Sequence, residues 1–431
     1  MKAKYYWNKA IKIIPGGNGL LSKRPNRFLP DGWPIYYSKA KGINIWDLQN
    51  KKYIDFSNMG VGTSIIGYAN SEIDNKVTKF LKKGVNTTLN CLEEFLLAKK
   101  ILKYNKFADQ VKFARSGGEA MSIAIRIARS RSKNIKIAFS GYHGWHDWYL
   151  AANLKNKKNL NNHLLKNLET KGIPMGLKNT VVPYDFNDLK SLENVCKKNK
   201  LAAIVTEGTR SAYPSKEFVK KLNYLKNKYK TCLIVDEITS GWRESTGGMY
   251  KAVGLKPDMV VYGKALGNGY AISAIVGKKK FMNKVQDSFV SSTAWTERVG
   301  FVSAISTIDY FVKYNVGDSI KKNGKYLLDG WGKIAKANDL KIKFTEFLAM
   351  PSFSFDYGTI NEKLHTYFTE LMLKKGYLAT NGLSITYAHK KNDIDKYLKN
   401  CHEVFKVISK SIKKNKIQLK SKIRSNFYQK L

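Results

Sequence analysis

Cys232-Leu233-Ile234-Val235-Asp236-Glu237 and Met259-Val260-Val261-Tyr262-Gly263-Lys264 are two unbroken apolar runs, each ending on charge. Runs this short, without alternation, read as strands covered on both faces in a parallel sheet. Their polar ends then fall at the carboxyl edge, where open α/β folds bind ligands. Working outward, apolar runs at Val111–Ala114, Ile135–Phe139, Ala202–Thr206 and Ser273–Val276 alternate with helical stretches at Glu119–Arg131, Ser215–Tyr229 and Thr296–Val312. The second of these helices follows Pro214 and takes Ser215 as its cap. Such alternation predicts an α/β domain with a mainly parallel sheet.

The flanks read differently. Residues 1–55 hold several Gly and Pro residues and a short strand pair, Ile43–Asp47 and Lys52–Asp55, around the turn Leu48–Lys51. Beyond about residue 315 come a helix near Lys321–Asn338, strands around Lys341–Phe347 and Ser352–Tyr357, and helices near Asn361–Lys375 and Asp393–Ser411. The expected division is therefore an N-terminal segment 1–55, a large domain 56–314 and a C-terminal part 315–431, the two chain ends making one small α+β domain.

With 431 residues, 43% hydrophobic and 12% aromatic, the chain can bury a sizeable core. No apolar run approaches the ~20 residues of a membrane span. The opening MKAKYYWNKAIKIIPGG lacks a signal peptide's apolar centre, so a cytoplasmic location without membrane contact is expected. Cys91, Cys196, Cys232 and Cys401 form no CxxC pair, which suggests neither zinc nor a disulfide framework. A formal charge of +43 raises nucleic-acid binding as a hypothesis. Yet the lysines are scattered over almost every helical stretch and the arginines form no stripe interleaved with aromatics, so solvated faces are the expectation. The tail Lys406–Leu431 is a minor candidate for polyanion contact.

Asp236 and Lys264 arrive at one sheet edge. A pyridoxal cofactor needs that pair: an amine to form a Schiff base, and a carboxylate to keep the pyridinium nitrogen protonated. Singly, a strand-terminal Asp is often a helix cap, and a Lys near Gly267-Asn268-Gly269 a turn residue. Ser116-Gly117-Gly118-Glu119-Ala120, between strand and helix, offers a phosphate cradle or a plain turn. Gly141-Tyr142-His143-Gly144-Trp145-His146 sets an aromatic ring between glycines, suited to stacking on a flat cofactor. Its two histidines lack the carboxylate or cysteine companion a metal would need, and no metal is expected.

In order and spacing these segments resemble the class III aminotransferases of pyridoxal-phosphate fold type I, above all glutamate-1-semialdehyde aminomutase and the related aminotransferases of surface-sugar pathways. The likeness covers almost the whole chain, from Ile14-Pro15-Gly16-Gly17 and Gly42–Asp47 to Val235–Arg243, Tyr262–Gly269 and Ser292–Arg298. It implies an enzyme using pyridoxal 5′-phosphate, in its pyridoxamine form during turnover, with Lys264 as Schiff-base lysine and proton shuttle. Asp236 would be the pyridinium partner and Tyr142 the stacking ring, with Ile238 on the opposite face. Ser116, Gly117, Gly118 and His143 would complete the cofactor pocket, and Glu207 would lie near the ring hydroxyl. Thr293 would reach the phosphate of the neighbouring subunit, so a homodimer is implied. Two positions depart from the pattern: Gly208 stands for the usual proline, and Gly118 for the aminomutase's usual threonine.

Asn153–Lys178 is Lys/Asn/Leu-rich and reads partly helical, unlike the Gly/Ser-rich lid with which the aminomutase retains its intermediate. Transfer from an anionic amino donor such as glutamate to a keto or aldehyde acceptor is therefore favoured over isomerisation. The alternatives are the aminomutase itself and a non-catalytic cofactor- or polyanion-binding protein. Many class III enzymes hold the donor carboxylate with an arginine of the C-terminal domain, but Val299–Ile423 contains none. Arg24, Arg27, Arg210 and Arg243 are the substrate candidates, with Trp145 as a ring platform; each alone also reads as a surface or ion-pair residue.

Overall fold

Apolar strands alternating with helices bury their faces by stacking a sheet between helical layers, and this dictates the larger unit. The structure, a computed structural model, describes residues 2–163 and 165–425. In chain order its strands are β1 (Tyr37–Lys41), β2 (Asn44–Asp47), β3 (Lys52–Phe56), β4 (Gln110–Ala114), β5 (Lys136–Ser140), β6 (Val181–Pro183), β7 (Leu201–Glu207), β8 (Cys232–Asp236), β9 (Met259–Tyr262), β10 (Ser273–Gly277), β11 (Ile342–Phe344), β12 (Phe353–Phe355) and β13 (Tyr377–Ala379). Two compact units result: Ser71–Gly317, and Met1–Asn70 with Asp318–Leu431. These divisions, at 70/71 and 317/318, stand beside the 55/56 and 314/315 expected from composition.

The larger unit holds a seven-stranded sheet in the order β4-β10-β9-β8-β7-β5-β6. β9, β8, β7, β5 and β6 pair in parallel, whereas β10 is antiparallel to both β9 and β4. β7 and β8 are buried at every position, as expected of strands covered on both faces. Each fully buried Val, Leu or Ile contributes roughly 1.5–3 kcal/mol. The Gly117–Arg131 helix packs its buried Met121, Ile123, Ile125 and Ile127 in the same core cluster. β6 is absent from the sequence reading, because three residues carry no periodicity. The Arg298–Lys313 helix starts later than expected, since the Glu297 carboxylate caps the Val299 and Gly300 N–H groups.

The second unit has a sheet β1-β2-β3-β13 and the hairpin β11-β12. β13 pairs in parallel with β3, Tyr377 opposite Ile54, so both chain ends share one sheet. Its core is aromatic: Phe56 stacks on Tyr397 at 4.1 Å and Trp331 meets Phe353 edge-on at 5.1 Å. After the Lys391–Lys413 helix the chain doubles back over this unit. Lys420, Lys422 and Arg424 donate backbone N–H groups to Glu370, Asp31 and Thr366, and Ser425 N–H reaches the Asn26 carbonyl at 2.8 Å. Residues 426–431 of the basic tail lie outside the described residues. Among the described residues no helix is long and apolar enough to cross a membrane.

Candidate active site

At the carboxyl edge of the larger sheet the register sets Ser140 beside Thr206 and Glu207 beside Asp236, and β9 runs on through Gly263 to Lys264. Lys264 adopts a left-handed backbone conformation, φ +32°, uncommon for a residue with a side chain. Its amine donates to the Thr239 hydroxyl at 2.7 Å. Burial, followed by the positive charges of Arg210 and Arg243, lowers this ammonium to about 8 against the opposing Asp236 and Glu207. A substantial neutral fraction near physiological pH suits it to act as nucleophile or base. Thr239 is a residue that sequence reasoning misses, though it lies inside the motif carrying Asp236.

Asp236 is buried, 3% exposed. Its Oδ1 accepts from the Ile238 N–H at 2.9 Å, and its Oδ2 lies 2.7 Å from His143 Nδ1. His143 Nε2 is 3.1 Å from the Ser140 carbonyl, which can only accept, so the proton there is fixed by its partner. The next strand end, Glu207, is gripped by Arg210: Nε meets Oε2 at 2.6 Å and Nη2 meets Oε1. Gly141 (φ +111°) makes room for this pair, because a Cβ there would lie 2.5 Å from Glu207 Oε2. Gly208 explains its own departure from proline. A Cβ would fall 2.6 Å from the Glu237 carboxylate, and its N–H donates to the Asp236 carbonyl. Glu237 is itself buried, and that pushes it up to about 7.

Ser116 and Glu119 form a reciprocal capping box at the start of the Gly117–Arg131 helix. The Gly117 and Gly118 N–H groups lie in the first turn, where no intrahelical acceptor exists. A Cβ on Gly117 would lie 2.8 Å from Ile238 and one on Gly118 2.6 Å from the His146 ring, so a threonine at 118 would have to push that ring aside. Tyr142 is half-buried, edge-on to Tyr149 at 6.1 Å, with the Arg210 guanidinium 6.0 Å from its ring. Beside it lies a cavity of about 230 Å³ lined by Tyr142, His163, Asp185, Glu207 and Arg210.

Lys264, Asp236, His143, Tyr142, Glu207, Arg210, Ile238 and the two glycines thus belong to one unit and one sheet edge. Arg243 lies beneath them, fully buried, donating to the Thr239 carbonyl; burial lowers it to about 10. Trp145 is 69% exposed and stacks on His146 at 4.3 Å. Thr293 is exposed, and its carbonyl accepts from Asn86. Arg24 and Arg27 belong to the other unit. Among the described residues, Asn153–Lys178, expected to be partly helical, has one short helix, Ala152–Lys155, and two 3-10 turns, Asn161–His163 and Met175–Leu177.

Three likenesses to known proteins bear on this geometry. The family model Aminotransferase class-III matches residues 30–344. A 3-aminobutyryl-CoA aminotransferase of Cloacimonas acidaminovorans (strain Evry) is 33% identical over 85% of this chain and 87% of its own, and a glutamate-1-semialdehyde 2,1-aminomutase of Wigglesworthia glossinidia brevipalpis 31% over 94% and 97%. The FumI protein of Sphingopyxis sp. MTA144, solved with PLP, superposes with a TM-score of 0.87 at 23% identity over 98% of both chains, a likeness of fold. A family match over most of the chain, joined to relatives above 30% identity along nearly their full lengths, means that this protein belongs to the class-III aminotransferases, pyridoxal-phosphate enzymes acting on small molecules.

Proposed function

We propose that the protein moves an amino group between two substrates, an anionic donor such as glutamate and a keto or aldehyde acceptor, sugars among them, with Lys264 as the proton carrier. The residues at the sheet edge fit the cofactor. The Gly117 and Gly118 amides suit a phosphate, Asp236 a ring nitrogen, and the Lys264 amine an aldehyde. Bound pyridoxal phosphate supplies an aldehyde that takes up the amino group and a protonated ring that withdraws electrons. Lys264, freed, holds or returns the proton of the substrate carbon, and its pKa near 8 suits both directions. Asp236, oriented by Ile238 and His143, keeps the ring nitrogen protonated. Tyr142 and Ile238 bracket the ring plane, and the Glu207–Arg210 pair lies near the ring hydroxyl. Thr293, exposed on its own chain, supports a homodimer in which it reaches the partner's phosphate. Four free cysteines support a reducing, cytoplasmic setting.

The observation that carries transfer over isomerisation is how Asn153–Lys178 is held. The Asn153 side chain donates to the Leu168 carbonyl at 3.0 Å and accepts from the Leu160 N–H at 2.9 Å. Buried His163, lowered to about 4 by burial, accepts from the Gly141 N–H at 3.1 Å. Such a segment acts as a fixed wall rather than a lid, which leaves a keto product free to depart and a second substrate free to enter. The test is to mix cofactor-loaded enzyme with glutamate alone. Stoichiometric release of 2-oxoglutarate supports transfer. The 31% likeness to an aminomutase favours a second reading, and isomerisation of glutamate-1-semialdehyde with no half-reaction on any amino donor would install it.

A further inference from the structure

The fold gathers cations that lie far apart in sequence around one space at the other edge of the larger sheet. A cavity of about 650 Å³ opens there among the first residues of β7 and β8, the segment before β9 and the end of β10. The parallel strands begin at this edge, whereas Asp236 and Lys264 stand where they end, so the cavity is separate from the candidate active site. Arg131, Lys133, Lys226, Lys230, Lys278 and Lys280 line it, and among the described residues Asp258 is the one carboxylate in its lining. Asp258 is already occupied: Oδ2 takes Lys226 at 2.7 Å and the Leu233 N–H at 3.0 Å, and Oδ1 takes Lys278 at 2.7 Å. Among the described residues no carboxylate pairs with Arg131, Lys133, Lys230 or Lys280.

Lys226, in the cavity floor, gives a second observation. It is 8% exposed, and its ammonium, with three N–H donors, finds the Asp258 carboxylate and the Lys256 carbonyl, each at 2.7 Å. One donor is left without an acceptor among the described residues, at a depth where polar groups are nearly always paired. Burial lowers this ammonium, Asp258 opposes the lowering, and the neighbouring Lys278 adds to it. Lys230 stands at a left-handed φ of +49°, just past a helix end, where glycine is usual. The C-terminal ends of the Gly117–Arg131 and Lys216–Lys228 helices, which supply Arg131 and Lys226, each add roughly half a negative charge. Together they balance about one of the four unpaired cations, so about three positive charges remain around a volume in the range of small-molecule sites.

We propose that this cavity binds a polyphosphate chain, free or carried by a nucleotide, held between Lys226 and the cations of the rim. Linked phosphates offer several negative charges on adjoining oxygens, which answers the unpaired cations and the open Lys226 donor together, as a single carboxylate does not. At about 0.15 M salt, exposed charges more than ~8 Å apart are largely screened, so the +43 of the whole chain does not by itself make a saturable site. Tripolyphosphate and ATP are each titrated calorimetrically at that salt into the full-length, cofactor-loaded protein, so that the candidate active site is filled. At least one should bind saturably, one per chain. Binding of tripolyphosphate assigns the phosphate chain as what is recognised, and binding of ATP alone assigns a nucleotide. Lys230→Gln combined with Lys280→Gln should weaken binding at least tenfold. Lys406→Gln combined with Lys410→Gln, two exposed lysines of the smaller unit, should leave it within about twofold, with thermal melting confirming that both proteins are folded. Absence of saturable binding by both ligands overturns the proposal. Equal weakening in the two double variants does so too, because the overall charge would then be the binder. Unchanged affinity in Lys230→Gln with Lys280→Gln also overturns it, since the anion would then lie elsewhere.

Discussion

Replacing Arg210 by Gln should shift the pH at which Lys264 becomes reactive. The amine lies at about 8 rather than 10.5, with Arg210 the first charge after burial among the causes and Glu207 an opposing one. The substitution removes the depressing cation and leaves the Glu207 carboxylate without its fork, so both changes raise the pKa. A nearby unit charge in an effective dielectric of about 20 is worth roughly 1.4–2 kcal/mol, or about one to one and a half pKa units. The variant amine should then titrate near pH ~9. Only neutral amine attacks the cofactor aldehyde, so capture rises with pH and levels off above the pKa. At pH 7 the neutral fraction falls from about 10% to about 1%, a tenfold slowing. The assay mixes apoprotein with pyridoxal phosphate from pH 6 to 10 and follows the visible absorbance. An uncompensated Glu207 should also cost roughly 2–3 kcal/mol of stability, so both proteins are compared well below their melting temperatures. An inflection that stays near pH 8 in Arg210→Gln would refute the electrostatic account.

Asp236→Ala should lower turnover at least a thousandfold, about 4 kcal/mol of barrier, with substrate binding less affected; near-normal turnover would exclude its role. Gly118→Thr should cost about 1–3 kcal/mol of melting stability through the His146 clash and weaken cofactor retention, measured by dialysis against pyridoxal-free buffer. Borohydride reduction of the loaded enzyme should fix the cofactor to the peptide containing Lys264, and label on any other lysine would sink that assignment. Sedimentation should find the active species at least dimeric, with Thr293→Ala losing cofactor on dilution. A fully active monomer would contradict the shared site.

The strands that lead to the site are legible because each is a short, wholly apolar run with a charged end, which places Asp236 and Lys264 at one sheet edge. The helix expected from Glu119 begins two residues earlier, at Gly117, because Ser116 and Glu119 close a capping box. What stayed hidden depends on contacts that no local pattern encodes. Thr239 matters because the chain folds its hydroxyl under the Lys264 amine, and Arg243 reads as a surface residue until the fold buries it. β10 runs against its neighbours although its composition matches theirs. The return of the tail over the smaller unit is equally hidden, since Arg424 pairs with Glu362 and Ser425 bonds Asn26, partners far away in sequence.

The parallel pairing of β13 with β3 has a consequence for how the chain is made. The unit Ser71–Gly317 is continuous, so its sheet can close as soon as that stretch has left the ribosome. The first 70 residues wait for partners that begin at residue 318, some 250 residues later, or roughly 10–50 s at ordinary elongation rates. Until then β1–β3 present an unpaired edge, and Asn26 and Asp31 lack the tail residues that later bind them. Early protection of that edge, by a chaperone or by the half-made chain itself, should govern the yield of native protein more than the folding of the catalytic sheet does.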